Sequence, residues 1–246
     1  MEPPDGDRQL RRAELVGALA AVRGQLADAC AAAGRDVRSV TLIAVTKTYP
    51  ATDVQTLLEL GALDIGESRD QEAVAKIAEL DALLAPDIAR PRWHFVGRLQ
   101  SRKSRSVATY ATAVHSVDRP ELVRGLAEGV RRAGRPPLEV FVQVSLDGDP
   151  ARGGVRADAL PGLADVVAAE PELRLRGVMA VAPLGTDPDQ AFGGLAQIAA
   201  GLRERHPGAD AISAGMSADL AAAVRHGSTH VRVGTALLGR RSPDVG

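Results

Sequence analysis

Short, almost continuously apolar runs recur along the chain, and most of them are followed by a stretch with helical spacing. The runs are "VTLIAV" (40–45), "LDIGE" (63–67), "WHFVG" (93–97), "AVHSV" (113–117), "LEVFVQV" (138–144), "LRGVMAV" (175–181), "DAISAG" (210–215) and "HVRVG" (230–234). They are too short for helices, and their unbroken apolar character suits parallel strands covered on both faces. Between them, "PATDVQTLLELGA", "RDQEAVAKIAELDALL", "PELVRGLAEGVRRAG", "ADALPGLADVVAAE" and "DQAFGGLAQIAAGLRERH" return apolar residues every three to four positions. Eight strands alternating with helices predict an α/β protein, a single (β/α)8 TIM barrel. Ahead of the barrel, "RQLRRAELVGALAAVRGQLADACAAAG" predicts an extra N-terminal helix over residues 9–34, closed by Gly34, with residues 1–8 disordered. No G-x-G-x-x-G follows the first strand, which disfavours an open dinucleotide-binding sheet. No Pro/Gly/Ser-rich linker divides the chain, so residues 1–246 are read as one domain.

Composition narrows this picture. Aromatics are only 2%, so Ala, Val and Leu must build the core. A formal charge of −1 gives no overall pull toward nucleic acid or membrane. The polar start "MEPPDGDRQLRR" is no signal peptide, and no apolar run approaches membrane-spanning length. The single cysteine, Cys30, excludes a disulfide framework and points to a reducing, cytoplasmic setting. Five scattered histidines and one cysteine offer no metal-ligand spacing, so no metal is expected. The basic run "RLQSRKSR" (98–105) lacks interleaved aromatics and reads as a solvated helix face. No G-x-S-x-G supports Ser-His-Asp chemistry.

Chemistry in such barrels sits at the C-terminal ends of the strands. Lys47 lies two residues past the first run and is one of three lysines against 27 arginines. One reading is a loop lysine in water. The other is a Schiff-base lysine, in which partial burial disfavours the ammonium and frees the amine. Lysine alone does not separate a sugar-aldolase imine from a pyridoxal phosphate imine. After the seventh and eighth runs, "SAGMSAD" and "RVGTALLG" place Gly215 with Ser217, and Gly234 with Thr235, where a strand turns into a helix. Each pair reads singly as an N-cap and tight turn; together, on those two strands, they favour a phosphate site. Strand alternation sends Val231 and Val233 to one face and Arg232 into the barrel. There a guanidinium needs an acceptor, either a ring nitrogen or a carboxylate such as Glu67. His94 and His115 fall on strands three and four, where a histidine is most often a hydrogen-bonded core residue.

The stretches "LIAVTKTYP", "DIGESRDQEA", "WHFVGRLQSRK", "VHSVD", "LRGVMAVAP" and "GMSADLAAAVRHGSTHVRVGTALLG" run in order from about residue 39 to 240. In them the chain resembles the pyridoxal phosphate homeostasis proteins, the YggS/PROSC family, which are similar to the N-terminal barrel of bacterial alanine racemases. The resemblance implies that Lys47 carries pyridoxal 5′-phosphate (PLP) as an internal aldimine. It implies that Ser217, Gly234 and Thr235, with backbone at Gly215 and Met216, hold the phosphate. Arg232 would face the pyridine nitrogen, and His94 is expected near the ring. The sequence departs from the family pattern at Ser68, in place of an Asn expected near the cofactor, and at Arg98 and Arg102, in place of a Pro and an Asn.

Two functions follow from the resemblance. One is a carrier for intracellular PLP homeostasis, with apo PLP-dependent enzymes as acceptors and without robust catalysis. The other is an amino-acid racemase. Racemisation needs a base on each face of Cα, and in alanine racemases a tyrosine from a second domain of the partner subunit supplies one. The chain ends just after its eighth strand and has two tyrosines, Tyr49 and Tyr110. A donor-only arginine also leaves the ring a weaker electron sink. The carrier is therefore preferred, as a monomer without nucleic-acid or membrane partners.

Overall fold

The computed structural model describes residues 5–149 and 152–239. Helix α1 (Asp5–Ala32) leads into β1 (Thr41–Val45), α2 (Ala51–Glu59), β2 (Asp64–Glu67), α3 (Asp70–Leu83) and β3 (Arg92–Phe95). A short α4 (Ser104–Val107) precedes β4 (Ala113–Val117), α5 (Pro120–Ala133), β5 (Leu138–Gln143) and α6 (Leu160–Ala168). The chain continues through β6 (Leu173–Met179), α7 (Pro188–Arg205), β7 (Ala211–Ser213), α8 (Leu220–Arg225), β8 (His230–Val233) and α9 (Thr235–Leu238). All eight strands are parallel, and β8 pairs back onto β1 from Thr41↔His230 to Ala44↔Val233, closing the barrel.

Side-chain alternation explains both faces of this sheet. Ala44, Ile65, Val231 and Val233 pack outward under helices in one large core cluster; Val114, Val140 and Val178 do so in a second. The inner layer is small and mixed. Ala113, Phe141, Met179 and Ala211 form its apolar part, beside the buried His94, His115, His230 and Arg232.

Helix α1 corrects two expectations. It begins at Asp5, so residues 5–8 are helical rather than disordered, and residues 1–4 lie outside the described residues. It ends at Ala32, where Gly34, at φ 64°, takes the left-handed position. The Gly34 N–H donates to Ala31 O (3.1 Å) and the Arg35 N–H to Cys30 O (2.8 Å), the double bond of a Schellman stop. Residues 6–32 are also long and apolar enough, by length and composition, to cross a membrane, contrary to the sequence reading. Alanines carry much of that hydropathy. The stripe Leu15, Leu19, Val22, Leu26 and Cys30 is buried at helical spacing against the barrel's outer core.

The turn that follows β1 is held by α3. Tyr49 N–H donates to Thr46 O (3.1 Å), so Lys47 and Thr48 are the central residues of a four-residue turn. Thr48 has φ 68°, the one positive value at a non-glycine among the described residues, and a β-branched residue is strained there. Glu72 on α3 accepts the Thr48 N–H. Lys76, one turn further along α3, donates to Thr46 O (2.7 Å) and to Glu67 Oε1 (2.5 Å). Lys76 is 5% exposed and Glu67 1%, so this is a buried ion pair. Burial pushes the Glu67 carboxyl above its ordinary value, against the opposing pull of Lys76. The alternative pairing of Glu67 with Arg232 does not occur, because Glu67 points outward toward α3.

Removing one partner strands the other charge in the core. Lys76→Ala should cost about 3–5 kcal/mol, whereas the double apolar exchange Lys76→Met/Glu67→Leu should cost much less. Chemical denaturation of both variants checks this; equal losses would show that the pair is not the source.

Candidate functional site

A cavity of about 700 Å³ opens at the C-terminal rim where β1 and β8 meet. Lys47, Thr48 and Tyr49 wall it from the first turn, Met216, Ser217 and Ala218 from the loop after β7, and Arg232, Gly234 and Thr235 from β8 and its exit. Val45, Val96 and Val181 give it an apolar side. The volume lies within the roughly 300–1,000 Å³ usual for small-molecule sites.

Each wall has a local cause. Lys47 is exposed, not partly buried as expected, because the Thr46–Tyr49 turn lifts it off the strand end. Gly215 has φ 93°, and a Cβ there would fall 2.5 Å from the Ala223 methyl, so only glycine makes this bend. Beyond it, Asp219 caps α8 and takes the Met216 N–H (2.5 Å), which leaves Ser217 in an exposed turn with no capping duty. Gly234 is the N-cap of α9, and a Cβ on it would lie 3.3 Å from Val45 O. Thr235 then opens α9, exposed at the cavity. The two rims are tied together, since Tyr49 O–H donates to Gly239 O (2.7 Å) and Arg11 donates to Leu238 O (3.1 Å) and to Asp53.

Arg232 projects up from inside the barrel, 6% exposed. It donates to Ser213 Oγ (2.6 Å) and Ala180 O (3.0 Å), and burial lowers its pKa to about 10, so it is a cation at neutral pH. From Ser213 a hydrogen-bonded chain crosses the barrel: His115 Nδ1 at 2.8 Å, His115 Nε2 to His94 Nδ1 at 2.9 Å, and His94 Nε2 to Asp64 Oδ1 at 3.0 Å. Arg92 closes it on Asp64 at 2.7 Å. With one proton in each link, the chain orients from its acid end. Asp64 accepts, so His94 Nε2 donates and its Nδ1 accepts from His115 Nε2. His115 Nδ1 then accepts from Ser213 O–H, whose free lone pairs receive Arg232. Burial, with His94, His230 and Arg232 nearby, holds the His115 pKa well below its ordinary value. Burial would raise the Asp64 carboxyl, yet the bonds from His94 and Arg92 bring it below the usual range.

Of the residues singled out from sequence, Lys47, Met216, Ser217, Arg232, Gly234 and Thr235 share this cavity, and Gly215 shapes it from behind. Two do not line it. Ser68 faces a neighbouring hollow formed with the loop after β3. His94 is buried in the barrel and reaches the site only through His115 and Ser213. Sequence reasoning passed over Ser213, Glu72 and Lys76; the one local signal was that Lys76 is among only three lysines. The basic run 98–105 is not a helix face. It forms a loop, a 3₁₀ turn (Ser101–Lys103) and α4, and Arg98, Arg102 and Lys103 rim that same hollow. Among the described residues no three His, Cys, Asp or Glu side chains converge as a metal set.

Comparison with known proteins shows the family. The family model for the alanine racemase N-terminal domain matches residues 19–242. A pyridoxal phosphate homeostasis protein of Mycobacterium tuberculosis is 48% identical over 246 residues, with 94% of each chain covered. The chain belongs to the pyridoxal phosphate homeostasis family. A solved structure like it is PipY of Synechococcus elongatus with PLP bound, at 32% identity and TM-score 0.76, covering 92% of this chain and 100% of its own. The alanine racemase of Streptomyces coelicolor, at 19% identity and TM-score 0.69, covers 96% of this chain and 62% of its own, and shares the fold. Within this family fold, the polar chain under Arg232 occupies the inner layer of the barrel.

The buried imidazoles set a pH dependence. Burial, with His94 and Arg176 nearby, lowers the His230 pKa from 6.5 to about 3. The unfolded chain therefore binds more protons than the folded one between these values, and stability rises with pH across them. Denaturant midpoints should fall steadily as pH drops below 6.5. His230→Gln should flatten part of that slope, with His115 carrying the remainder; a midpoint flat across this range would contradict the assignment.

Proposed function

We propose that the chain binds pyridoxal 5′-phosphate reversibly in the β1–β8 cavity and serves PLP homeostasis in the cytoplasm, passing the cofactor to apo enzymes. The observation that carries this reading is the convergence of Lys47, Ser217, Thr235 and Arg232 on one cavity. The relatives support it: they carry that name, and PipY was solved with PLP bound. When bound, the cofactor supplies an aldehyde, a phosphate dianion and a pyridine nitrogen.

The residues present fit those three groups. Lys47 brings an amine on an exposed turn, an amine whose deprotonated form can hold an aldehyde covalently. Ser217 and Thr235 bring hydroxyl donors, and Gly234 brings a bare backbone for the dianion. The Met216 N–H is the expected donor already committed, to Asp219. Arg232 has spent two donors on Ser213 and Ala180, and its remaining N–H groups are available to a ring nitrogen. As a donor only, it hydrogen-bonds that nitrogen without protonating it, which keeps the ring a poor sink for Cα electrons.

Catalysis would also need a base opposite Lys47. Tyr49 stands on the lysine's own turn with its hydroxyl on Gly239 O, and Tyr110 packs in the outer core. The reading is therefore a monomeric carrier, and the racemase is its alternative in the test.

Borohydride reduction of the holo protein, followed by peptide mapping, should leave the pyridoxyl group on Lys47; a main adduct on Lys76 or Lys103 would sink the assignment. Each charge-assisted bond to phosphate is worth about 1.5–3 kcal/mol, so Ser217→Ala or Thr235→Ala should weaken PLP binding tenfold or more. Equal affinity for pyridoxal and PLP would contradict the phosphate loops.

Transfer separates carrier from racemase. Holo protein should reactivate an apo PLP enzyme, and incubation with L-alanine in deuterated water should leave Cα almost unlabelled. A missing general base costs a factor of about 10²–10⁴ in rate. Cα exchange at rates on the order of 1 s⁻¹, in the usual enzyme range, would instead establish a racemase.

A further inference from the structure

Beside the cofactor cavity, the loops after β2 and β3 enclose a second one of about 270 Å³. Four cations line it: Arg69, Arg98, Arg102 and Lys103. An adjoining hollow of about 440 Å³ shares Arg98 and adds Arg119. Elsewhere on the surface, arginines meet carboxylates, as in Arg105–Glu128 (2.6 Å), Arg131–Glu172 (2.7 Å) and Arg205–Asp165 (2.5 Å). Here they do not. Arg69 and Arg98 have no side-chain partner among the described residues, and Arg102 donates only to the neutral Gln100 Oε1 (3.1 Å). Asp70 is the one acid in the lining, and it is taken by Lys103 (3.3 Å) and Ser106 Oγ (2.8 Å).

Backbone adds to this field. The cavity opens on the first turn of α3, a 14-residue helix with no side-chain cap, so unpaired N–H groups and the positive end of the dipole face it at Asp70 and Gln71. The walls are close-packed. A Cβ on Gly97 would fall 2.1 Å from Ser68 O, so the two loops touch backbone to backbone. Leu99 is 1% exposed and anchors the arginine loop from beneath. Ser68, Arg98 and Arg102, the three departures from the family pattern, all stand on this one wall.

We propose that this cavity is a second, noncovalent anion site that takes the phosphate of a small phosphate monoester. Unpaired guanidinium forks match phosphate oxygens two at a time, and a helix N-terminus favours a dianion over a single charge. The volume is too small for much more than the phosphate and a short organic tail. Because Val96 lines the cofactor cavity while Phe95 and Arg98 line this one, the strand that ends at Phe95 separates the two.

The test is a titration of the isotope-labelled protein with inorganic phosphate and, separately, with glycerol phosphate, following backbone amide shifts. Saturable shifts are expected at Gln71 and Gln100, apart from any at Gly215 and Gly234. Arg98→Gln/Arg102→Gln should weaken the first set at least tenfold while leaving the second set unmoved. Ser217→Ala/Thr235→Ala should do the reverse, so failure at Gly215 and Gly234 alone would count against the cofactor site and leave this one standing. A preference for glycerol phosphate over inorganic phosphate would identify the monoester as the ligand. Three results would overturn the proposal: no shift at Gln71 and Gln100, shifts that survive the double arginine exchange, or tighter binding of a glutamate-rich peptide than of phosphate.

Discussion

The guanidinium of Arg232, buried inside a closed barrel, is the constraint around which the inner layer is arranged. A charge taken out of water costs several kcal/mol unless acceptors meet it. Among the described residues no carboxylate hydrogen-bonds Arg232 directly. Two neutral acceptors, Ser213 Oγ and Ala180 O, hold the group instead. The carboxylate stands at the far end, at Asp64, and His94 and His115 relay hydrogen bonds across the interior. Placing the acid remotely keeps the cation's other donors free at the rim. A direct ion pair would satisfy Arg232 more cheaply but would spend the very face that looks into the cavity.

The second buried cation is handled in the opposite way. Lys76 is fully committed, to Glu67, Thr46 O and Glu72, and it lies behind the sheet rather than inside it. Its task is mechanical. With Glu72 it holds the carbonyl of Thr46 and the N–H of Thr48, so a turn with a strained threonine keeps one geometry and Lys47 one position. The two cations divide the labour: one is left with donors to spare at the cavity, the other is saturated because it serves the backbone.

This division explains what was legible in the sequence. Strands buried on both faces print themselves as apolar runs, so all eight were readable to within about two residues. Candidate residues at strand ends followed from the barrel rule, as Lys47, Ser217 and Thr235 did, and Arg232 followed from alternation along its strand. The supports were hidden because their partners are far apart in sequence. Nothing local says that His115 meets Ser213, or that Lys76 reaches back to Thr46. Glu67 illustrates the ambiguity: alternation along β2 turns it outward to α3, yet from sequence it was an equally good inward partner for Arg232. The start of α1 was missed for a different reason, since acidic and basic residues at 5–8 look like a tail until a helix is seen to continue through them.

The cavity lies on the seam where the barrel closes, and that position has a thermodynamic consequence. β8 reaches β7 through a single registered pair, Ser213↔His230, whereas it pairs with β1 over four. Rim ties from Tyr49 to Gly239 and from Arg11 to Leu238 cross the same seam. Residues 47–49 come from the first strand's exit and residues 232–235 from the last, about 190 positions apart, and α1 packs against α8 and α9 just outside. The whole wall forms only when the chain has closed, because its two halves come from opposite ends of the barrel sequence. A ligand spanning the seam therefore binds the closed barrel and not the open chain, and its binding energy adds directly to the stability of closure. The cavity lies on the seam that closes the barrel, so a small molecule held there would reinforce a contact between strands far apart in sequence.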